Sequence, residues 1–219
     1  MVKQEEERSN YFAHGLKRYL RPEQIDAIIK VKIGIAGAGG LGSNCAQLLA
    51  RCGFRRFVIV DYDAVDASNL NRQFFFSGQV GQPKVAALTE NLRRINPEVA
   101  VEAVEERVRP DNAARLFADC DVVVEAFDRA EDKKMLVEAY VGSGKLVVAA
   151  SGLAGWGDSD RITVRRISER FYVVGDGTSG ISPDLPPLAP CVAIAAAKQA
   201  DIVLSYVLSK VSRGESDDA

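Results

Sequence analysis

The stretch Asp61-Tyr62-Asp63-Ala64-Val65-Asp66-Ala67-Ser68-Asn69-Leu70-Asn71-Arg72-Gln73 decides how this chain is read. It follows a short apolar run at 57–60 and, further upstream, the turn Gly37-Ala38-Gly39-Gly40-Leu41-Gly42. Glycines in such a turn let the backbone approach a phosphate closely, and the helix after it points its first N–H groups at negative charge. Asp61 ends the second predicted strand, 24 residues after Gly37, where an acid accepts hydrogen bonds from ribose hydroxyls. Turn, strand and acid predict a nucleotide site without choosing between NAD, FAD and ATP. Strand–helix packing with no ligand is the plainer alternative.

The residues past Asp61 make the choice. Asn69 and Arg72 are three apart, so one helical turn places them on the same side. Arg offers planar, bidentate donors to phosphate oxygens, and Asn bridges neighbouring oxygens. Lys84 follows Pro83 at a predicted helix start, where its ammonium and the helix end both favour an anion. Asp128 lies just past the fourth predicted strand, at the mouth where such sheets bind ligands. One carboxylate beside phosphates suits Mg²⁺, which keeps several waters. An NAD enzyme has no need for this set.

Outward from the site the chain alternates. Strands are predicted at 31–36, 57–60, 99–104, 122–126 and 146–150, with helices between them from the glycine turn to about Cys52, at 83–95, from an Asp111 cap to about Phe117, and at 130–141. A short helical turn is expected at 68–72. This rhythm predicts an α/β, Rossmann-like, doubly wound and mostly parallel sheet with right-handed crossovers. Runs at 162–167 and 171–174 are close enough for an antiparallel C-terminal hairpin added to it. The Gly/Ser/Pro-rich segment 175–190 is long for a connector and predicts a mobile functional loop. An Ala-rich helix at 189–210 has a broad apolar face, to be buried in this chain or against a second copy. The expected organisation is an N-terminal helical segment at 1–30, with an acidic, mobile start and one or two helices from Tyr11, one nucleotide-binding domain at 31–211, and a disordered tail at 212–219.

Composition narrows the class. A length of 219 residues fits one domain. The formal net charge of −2 argues against broad nucleic-acid binding. No apolar run approaches the length of a membrane span, and the charged start has no apolar signal core, so a cytoplasmic protein is expected. Cys45, Cys52, Cys120 and Cys191 form no CxxC pair, and the first three read as core residues. The single histidine, His14, reads as a surface residue.

The combination Gly-Ala-Gly-Gly-Leu-Gly, Asp61-x-Asp63, Ser68-Asn69-Leu70-Asn71-Arg72-Gln73, Gly81-Gln82-Pro83-Lys84 and Glu125-Ala126-Phe127-Asp128 resembles the ThiF/MoeB/HesA family, prokaryotic relatives of ubiquitin-activating enzymes. The likeness runs from about Tyr19 to Lys210. Asn91-Leu92-Arg93-Arg94-Ile95-Asn96-Pro97, Ser151-Gly152-Leu153-Ala154-Gly155 and Ala189-Pro190 are most similar to the short ThiF-type branch of thiamine biosynthesis. The resemblance implies an adenylyltransferase that takes ATP and Mg²⁺ and adenylates the C-terminal Gly-Gly of a small ubiquitin-like sulfur carrier, releasing pyrophosphate. It implies that Gly37, Gly39, Gly40, Gly42, Asp61, Asp63 and Gln73 belong to the nucleotide site. Asn69, Arg72 and Lys84 would contact phosphates and Asp128 would hold Mg²⁺. It also implies a homodimer in which an N-terminal arginine, Arg18 or Arg21, reaches the partner's ATP.

The chain departs from larger members in lacking two CxxC pairs for zinc, and its 175–190 loop has no cysteine. Cys191 sits at the start of the last helix, where a thiol is either activated or simply packed. Trp156, between two glycines, lies near the carrier's entry path or in the core. Alternatives remain open: another acceptor (a MoaD-like carrier, a peptide or a modified tRNA base), a nucleotide-sensing scaffold, and, remotely, an NAD-dependent oxidoreductase.

Overall fold

The computed structural model describes residues 11–180 and 182–214. The expected acidic start and most of the expected tail, 1–10 and 215–219, lie outside them. Five β-branched, apolar segments form the parallel heart of the sheet: β1 (Lys32–Ala36), β2 (Arg56–Val60), β3 (Ala100–Val104), β4 (Val122–Glu125) and β5 (Leu146–Ala150). β4 and β5 are buried along their whole length, as strands covered on both faces must be. β6 (Thr163–Ser168) and β7 (Phe171–Gly175) form the expected antiparallel hairpin, with a register shift between Arg166 and Ser168. The sheet order is β3-β2-β1-β4-β5-β7-β6, and β7 joins β5 in parallel.

Among the described residues seven α-helices and two short 3₁₀ turns accompany this sheet. The α-helices are α1 (Tyr11–Leu16), α2 (Pro22–Lys30), α3 (Gly40–Arg51), α4 (Lys84–Ile95), α5 (Ala113–Leu116), α6 (Ala130–Tyr140) and α7 (Ala189–Arg213). Strand alternation splits the core in two. Ile33, Ile35, Phe57, Ile59, Val122, Val124, Leu146 and Val148 face α2, α3, α4 and α7. Ala36, Val58, Val60, Val123 and Val147 face α5 and α6, where Phe117 and Tyr140 stack edge to face. Gly34 is required here, because a Cβ on it would lie 2.5 Å from the Phe117 ring. By length and composition α7 could cross a membrane, but Ala195, Ala196 and Val203 are fully buried in the core and the helix packs along α3.

Three expectations are corrected. The helix expected from an Asp111 cap is only the single turn of α5, and Asn112 precedes it. Asn112 accepts a hydrogen bond from Arg109 N at 2.7 Å and donates to Arg107 O at 3.0 Å, so its side chain stabilises the incoming loop. The last helix runs past Lys210 to Arg213, so Ser212 and Arg213 belong to α7 rather than to a tail. Gly214 ends the helix at φ 69°, a left-handed stop that glycine adopts without Cβ strain. The helical turn expected at 68–72 is a 3₁₀ turn at Ala67–Asn69.

The glycine turn itself is a packing constraint. A Cβ on Gly42 would sit 1.8 Å from Gly37 O, so the first turn of α3 can lie against the end of β1 only without one. Gly42→Ala is expected to lower the unfolding free energy by about 2–3 kcal/mol in urea titration, the cost of overpacking rigid backbone.

Candidate nucleotide-binding site

A cleft of about 360 Å³ opens at the C-terminal edge of the sheet, over β1 and β4. This is where the strand order reverses, because the chain leaves β1 to one side for β2 and returns to the other for β4. The volume is in the range of small-molecule pockets.

The glycine turn forms one wall. Gly37 has φ 99° and donates its N–H to Val60 O at 2.9 Å. A Cβ on Gly39 would meet only Gln73 Nε2 at 3.9 Å, so that face of the turn is open to the cleft. Gly40 and Leu41 line the same wall at the start of α3, whose first N–H groups have no intrahelical acceptors and carry the positive end of the helix dipole. Gly42 does not line the cleft and serves packing alone.

Two residues that sequence reasoning passed over fasten this turn to the Arg72 segment. Ser43 Oγ donates to Gly39 O at 2.6 Å and accepts from Phe74 N at 3.0 Å. Asn44 Nδ2 donates to Gly40 O at 2.7 Å and to Arg72 O at 2.8 Å. The available signal was a polar pair inside the first turn of an otherwise apolar helix.

The acids and cations have distinct stations. Asp61 accepts from Ala38 N at 2.6 Å and from Asp63 N at 2.8 Å. Burial pushes its carboxyl up, opposed by the Asp63 amide, the Lys84 charge and the Ala38 amide. Asp63 lines the cleft but spends its carboxylate on Lys84, at 2.7 Å. Lys84 is buried at the start of α4, and its own N–H donates to Asp63 O at 2.9 Å. Arg72 lines the cleft and donates through one terminal nitrogen to Ser68 O at 3.0 Å and Asn71 Oδ1 at 2.7 Å. Among the described residues its other guanidinium nitrogens have no partner. Gln73 is buried at the cleft, and its Oε1 has no partner among the described residues. Asp128 is exposed in the cleft, and its carboxylate has no partner among the described residues.

Asn69 stands apart from the others. It does not line the cleft, because its Oδ1 accepts from Asp66 N at 3.1 Å while Asp66 caps the 3₁₀ turn through Ser68. A three-residue spacing predicts one face of a helix, but a side chain that closes its own capping turn folds back instead.

The sequence also left Lys133 and Glu125 unconnected. Glu125 ends β4, is completely buried, and meets Lys133 Nζ at 3.0 and 3.1 Å. It also accepts from Phe127 N at 2.7 Å and Ala150 N at 3.2 Å, joining the ends of β4 and β5. Lys133 lines the cleft from α6. Arg107 stacks over the Tyr62 ring at 5.7 Å and faces Asp132 at 3.7 Å on the opposite side. The lining therefore carries five cations (Arg72, Lys84, Arg107, Arg129, Lys133) and five acids (Asp61, Asp63, Glu106, Asp128, Asp132). The visible clue to Glu125 was an acid closing the apolar run Val122-Val123-Val124.

Other singled-out residues lie outside the chemistry. His14 is exposed, and Arg18 and Arg21 are exposed and do not line the cleft. Cys191 is buried in the core, one residue before the cleft-lining Val192. Burial pushes the Cys45 and Cys120 thiols up, Cys120 to about 12, which makes both poor nucleophiles.

Burial pushes the Glu125 carboxyl up, while Lys133 and the two amides pull it down. A carboxyl raised by folding stabilises least where it must ionise, so its cost grows as pH rises above the ordinary Glu value of about 4.3. Lys133→Met removes the compensating charge. It is expected to destabilise by about 3 kcal/mol at pH 8 and by clearly less at pH 5, read from urea unfolding at both pH values.

Comparison with known proteins agrees with this geometry. The ThiF family matches residues 14–216. An adenylyltransferase and sulfurtransferase, UBA4, of Candida glabrata is 31% identical over 82% of this chain and 43% of its own length. A sulfur carrier protein adenylyltransferase of Thermus thermophilus is 33% identical over 65% of this chain and 53% of its own. The chain thus spans about half the length of these curated relatives. In fold it is similar to the Escherichia coli tRNA N6-threonylcarbamoyladenosine dehydratase solved with ATP, at TM-score 0.83 and 23% identity over 91% of this chain and 95% of that one. With nearly its full length matched and the family's glycine turn, Asp61, Arg72, Lys84 and Asp128 gathered at one cleft, the chain belongs to the ThiF family.

Proposed function

We propose that this chain binds ATP with Mg²⁺ and adenylates the C-terminal Gly-Gly carboxylate of a small ubiquitin-like, ThiS-like sulfur carrier, releasing pyrophosphate, in thiamine thiazole biosynthesis. The observation that carries this reading is one cleft holding a bare helix start, a partly unpaired Arg72, a buried Lys84 and an unpaired Asp128. The names of the curated relatives support adenylation, and the runs at 91–97 and 151–155 support the thiamine branch.

The chemistry follows from charge. A carboxylate attacking the α-phosphorus meets a triphosphate of the same sign. Arg72 supplies planar donors to the phosphoryl oxygens as charge builds on them, and the N–H groups of α3 supply a fixed dipole. Lys84 can exchange its bond to Asp63 for a phosphate oxygen without crossing solvent, because its side chain is 7% exposed. The nucleophile is already ionised near pH 7, so no general base is needed. Among the described residues no group of three His, Cys, Asp or Glu side chains gathers to hold a metal. Asp128 alone fits Mg²⁺, which would complete its shell with nucleotide oxygens and water and would neutralise phosphate charge there.

The acceptor's way in is marked by the loops after β5 and β7. Pro187 lines the cleft and bridges Gly155, next to Trp156, which is 63% exposed. Tryptophan is enriched at protein–protein interfaces, which supports contact between this exposed side chain and a folded carrier. Neither Arg18 nor Arg21 reaches the cleft of its own chain, which is consistent with a homodimer in which one serves the partner's site.

ATP–pyrophosphate exchange dependent on a Gly-Gly-ended carrier tests the reading. Arg72→Ala and Asp128→Ala are each expected to cut exchange on the order of 10²-fold while the thermal midpoint stays near wild type. Full exchange in both variants would sink the assignment, and exchange with a modified tRNA but with no carrier would move the acceptor. Sedimentation at micromolar concentration is expected to give twice the chain mass.

A further inference from the structure

The wall of the cleft opposite the glycine turn is made by two loops that continue β5 and β7 beyond the sheet. Ser151, Gly152 and Leu153 come from one loop, and Ser179 and Gly180 from the other. Their backbones remain paired past the strand ends: Ser151 N donates to Val174 O at 2.8 Å, Asp176 N to Gly152 O at 3.1 Å and Gly177 N to Ser151 O at 3.0 Å. The contact is close enough to require glycine. A Cβ on Gly152, which has φ 74°, would lie 2.0 Å from Asp176 Oδ1, and one on Gly175 would lie 1.8 Å from Ser151 O.

One side chain sits at the crossing. Asp176 Oδ1 accepts from Thr178 N at 2.8 Å, Ser179 N at 2.7 Å and Thr178 Oγ1 at 3.3 Å. Its Oδ2 faces Arg161 at 3.4 Å, and Arg161 in turn donates to Ala154 O. Ala154 N donates to Ser179 Oγ at 3.2 Å, which closes the circuit between the loops. The Asp176 side chain is 8% exposed. Burial opposes its ionisation, but the hydrogen bonds from Ser179 and Thr178 outweigh burial and hold the carboxyl at about 2, so it is charged at any working pH.

The sheet order gives this wall its place. Asp61 and the glycine turn lie over β2 and β1, Asp128 follows β4 at the centre, and the latched loops follow β5 and β7 on the far side. A nucleotide seated over β2 and β1 with its phosphates toward Asp128 leaves the β5–β7 side for the second substrate. We propose that Asp176, tied to Arg161, is the positioning residue of the acceptor half of the site, holding the 151–154 and 177–180 loops as one wall along which the incoming chain end lies. This rests on the adenylation reading for what the acceptor is, and on geometry alone for the latch. Asp176 touches neither nucleotide nor acceptor; it acts through the loops.

Three variants test it in the full chain: Asp176→Ala, the near-isosteric Asp176→Asn, and Gly152→Ala, which pushes the loops apart while keeping the carboxylate. Hydrogen exchange over 151–155 and 176–180 is expected to speed up at least tenfold in Asp176→Ala and Gly152→Ala, and less in Asp176→Asn, with the core strands unchanged. The Kd for a fluorescent ATP analogue is expected to stay within twofold of wild type. In pyrophosphate exchange, KM for the Gly-Gly-ended carrier should rise about tenfold with kcat within threefold, and Asp176→Asn should fall between wild type and Asp176→Ala. Unchanged hydrogen exchange in the loops overturns the latch. Loosened loops with an unchanged carrier KM, or with a tenfold loss of ATP affinity, overturn its assignment to the acceptor half. If wild type exchanges pyrophosphate with no carrier at all, the adenylation reading fails, while hydrogen exchange and ATP affinity still judge the latch.

Discussion

The hydrogen bond from Ala38 N to the Asp61 carboxylate, 2.6 Å long, sets the glycine turn against the end of β2, and the cleft is built outward from it. The same carboxylate takes Asp63 N, which brings the Asp63 side chain to Lys84. On the other side of the turn, Ser43 and Asn44 hold the Arg72 segment by its backbone. Arg72 and Lys84, 12 residues apart in sequence, are brought to one cavity with the help of these polar contacts. Such contacts are directional, so they fix position where apolar burial would fix only proximity.

Charge in the cleft is arranged in two classes. Lys84 and Lys133 are each paired with a carboxylate, Asp63 and Glu125, in surroundings where a lone charge would cost several kcal/mol. Arg72 and Asp128 remain without a carboxylate or cation partner among the described residues. Unpaired charges of both signs at one opening, Arg72 and Asp128, fit the proposed nucleotide with its cation. The unpaired Arg72 and Asp128 present donors and an acceptor to the cleft.

The two sides of the sheet seam differ in construction. Over β1 and β2 the wall is backbone glycine and a helix start, rigid because Gly42 leaves no room to shift. Over β5 and β7 it is a pair of loops whose shape depends on one buried carboxylate and its arginine. In the proposed reaction the nucleotide has the same form in every encounter, whereas the acceptor's tail must thread in and leave. A wall held by a few polar contacts opens at lower cost than one held by backbone packing.

Much of this was legible in the residues. The alternation of apolar runs and helices dictated a parallel sheet, because strands buried on both faces must be apolar throughout, as Val122-Val123-Val124 and Leu146-Val147-Val148 are. The glycine spacing and the acid at position 61 pointed to the C-terminal edge of the sheet, where a cleft opens, and Arg72, Lys84 and Asp128 line it, since each stands within a few residues of a strand or helix end whose position the fold fixes. What local spacing could not decide was where a polar side chain spends its hydrogen bonds. Asn69 turned to cap its own 3₁₀ turn, Asp63 was taken by Lys84, Glu125 met Lys133 across a loop, and Asp176 met Ser179 in its own loop and Arg161 from another segment. The sequence by itself determined the sheet, the place of its cleft and the family. Only the tertiary structure decided which charges are paired and which remain free, because that choice depends on how turns and loops fold side chains back on one another, which residue spacing alone does not give.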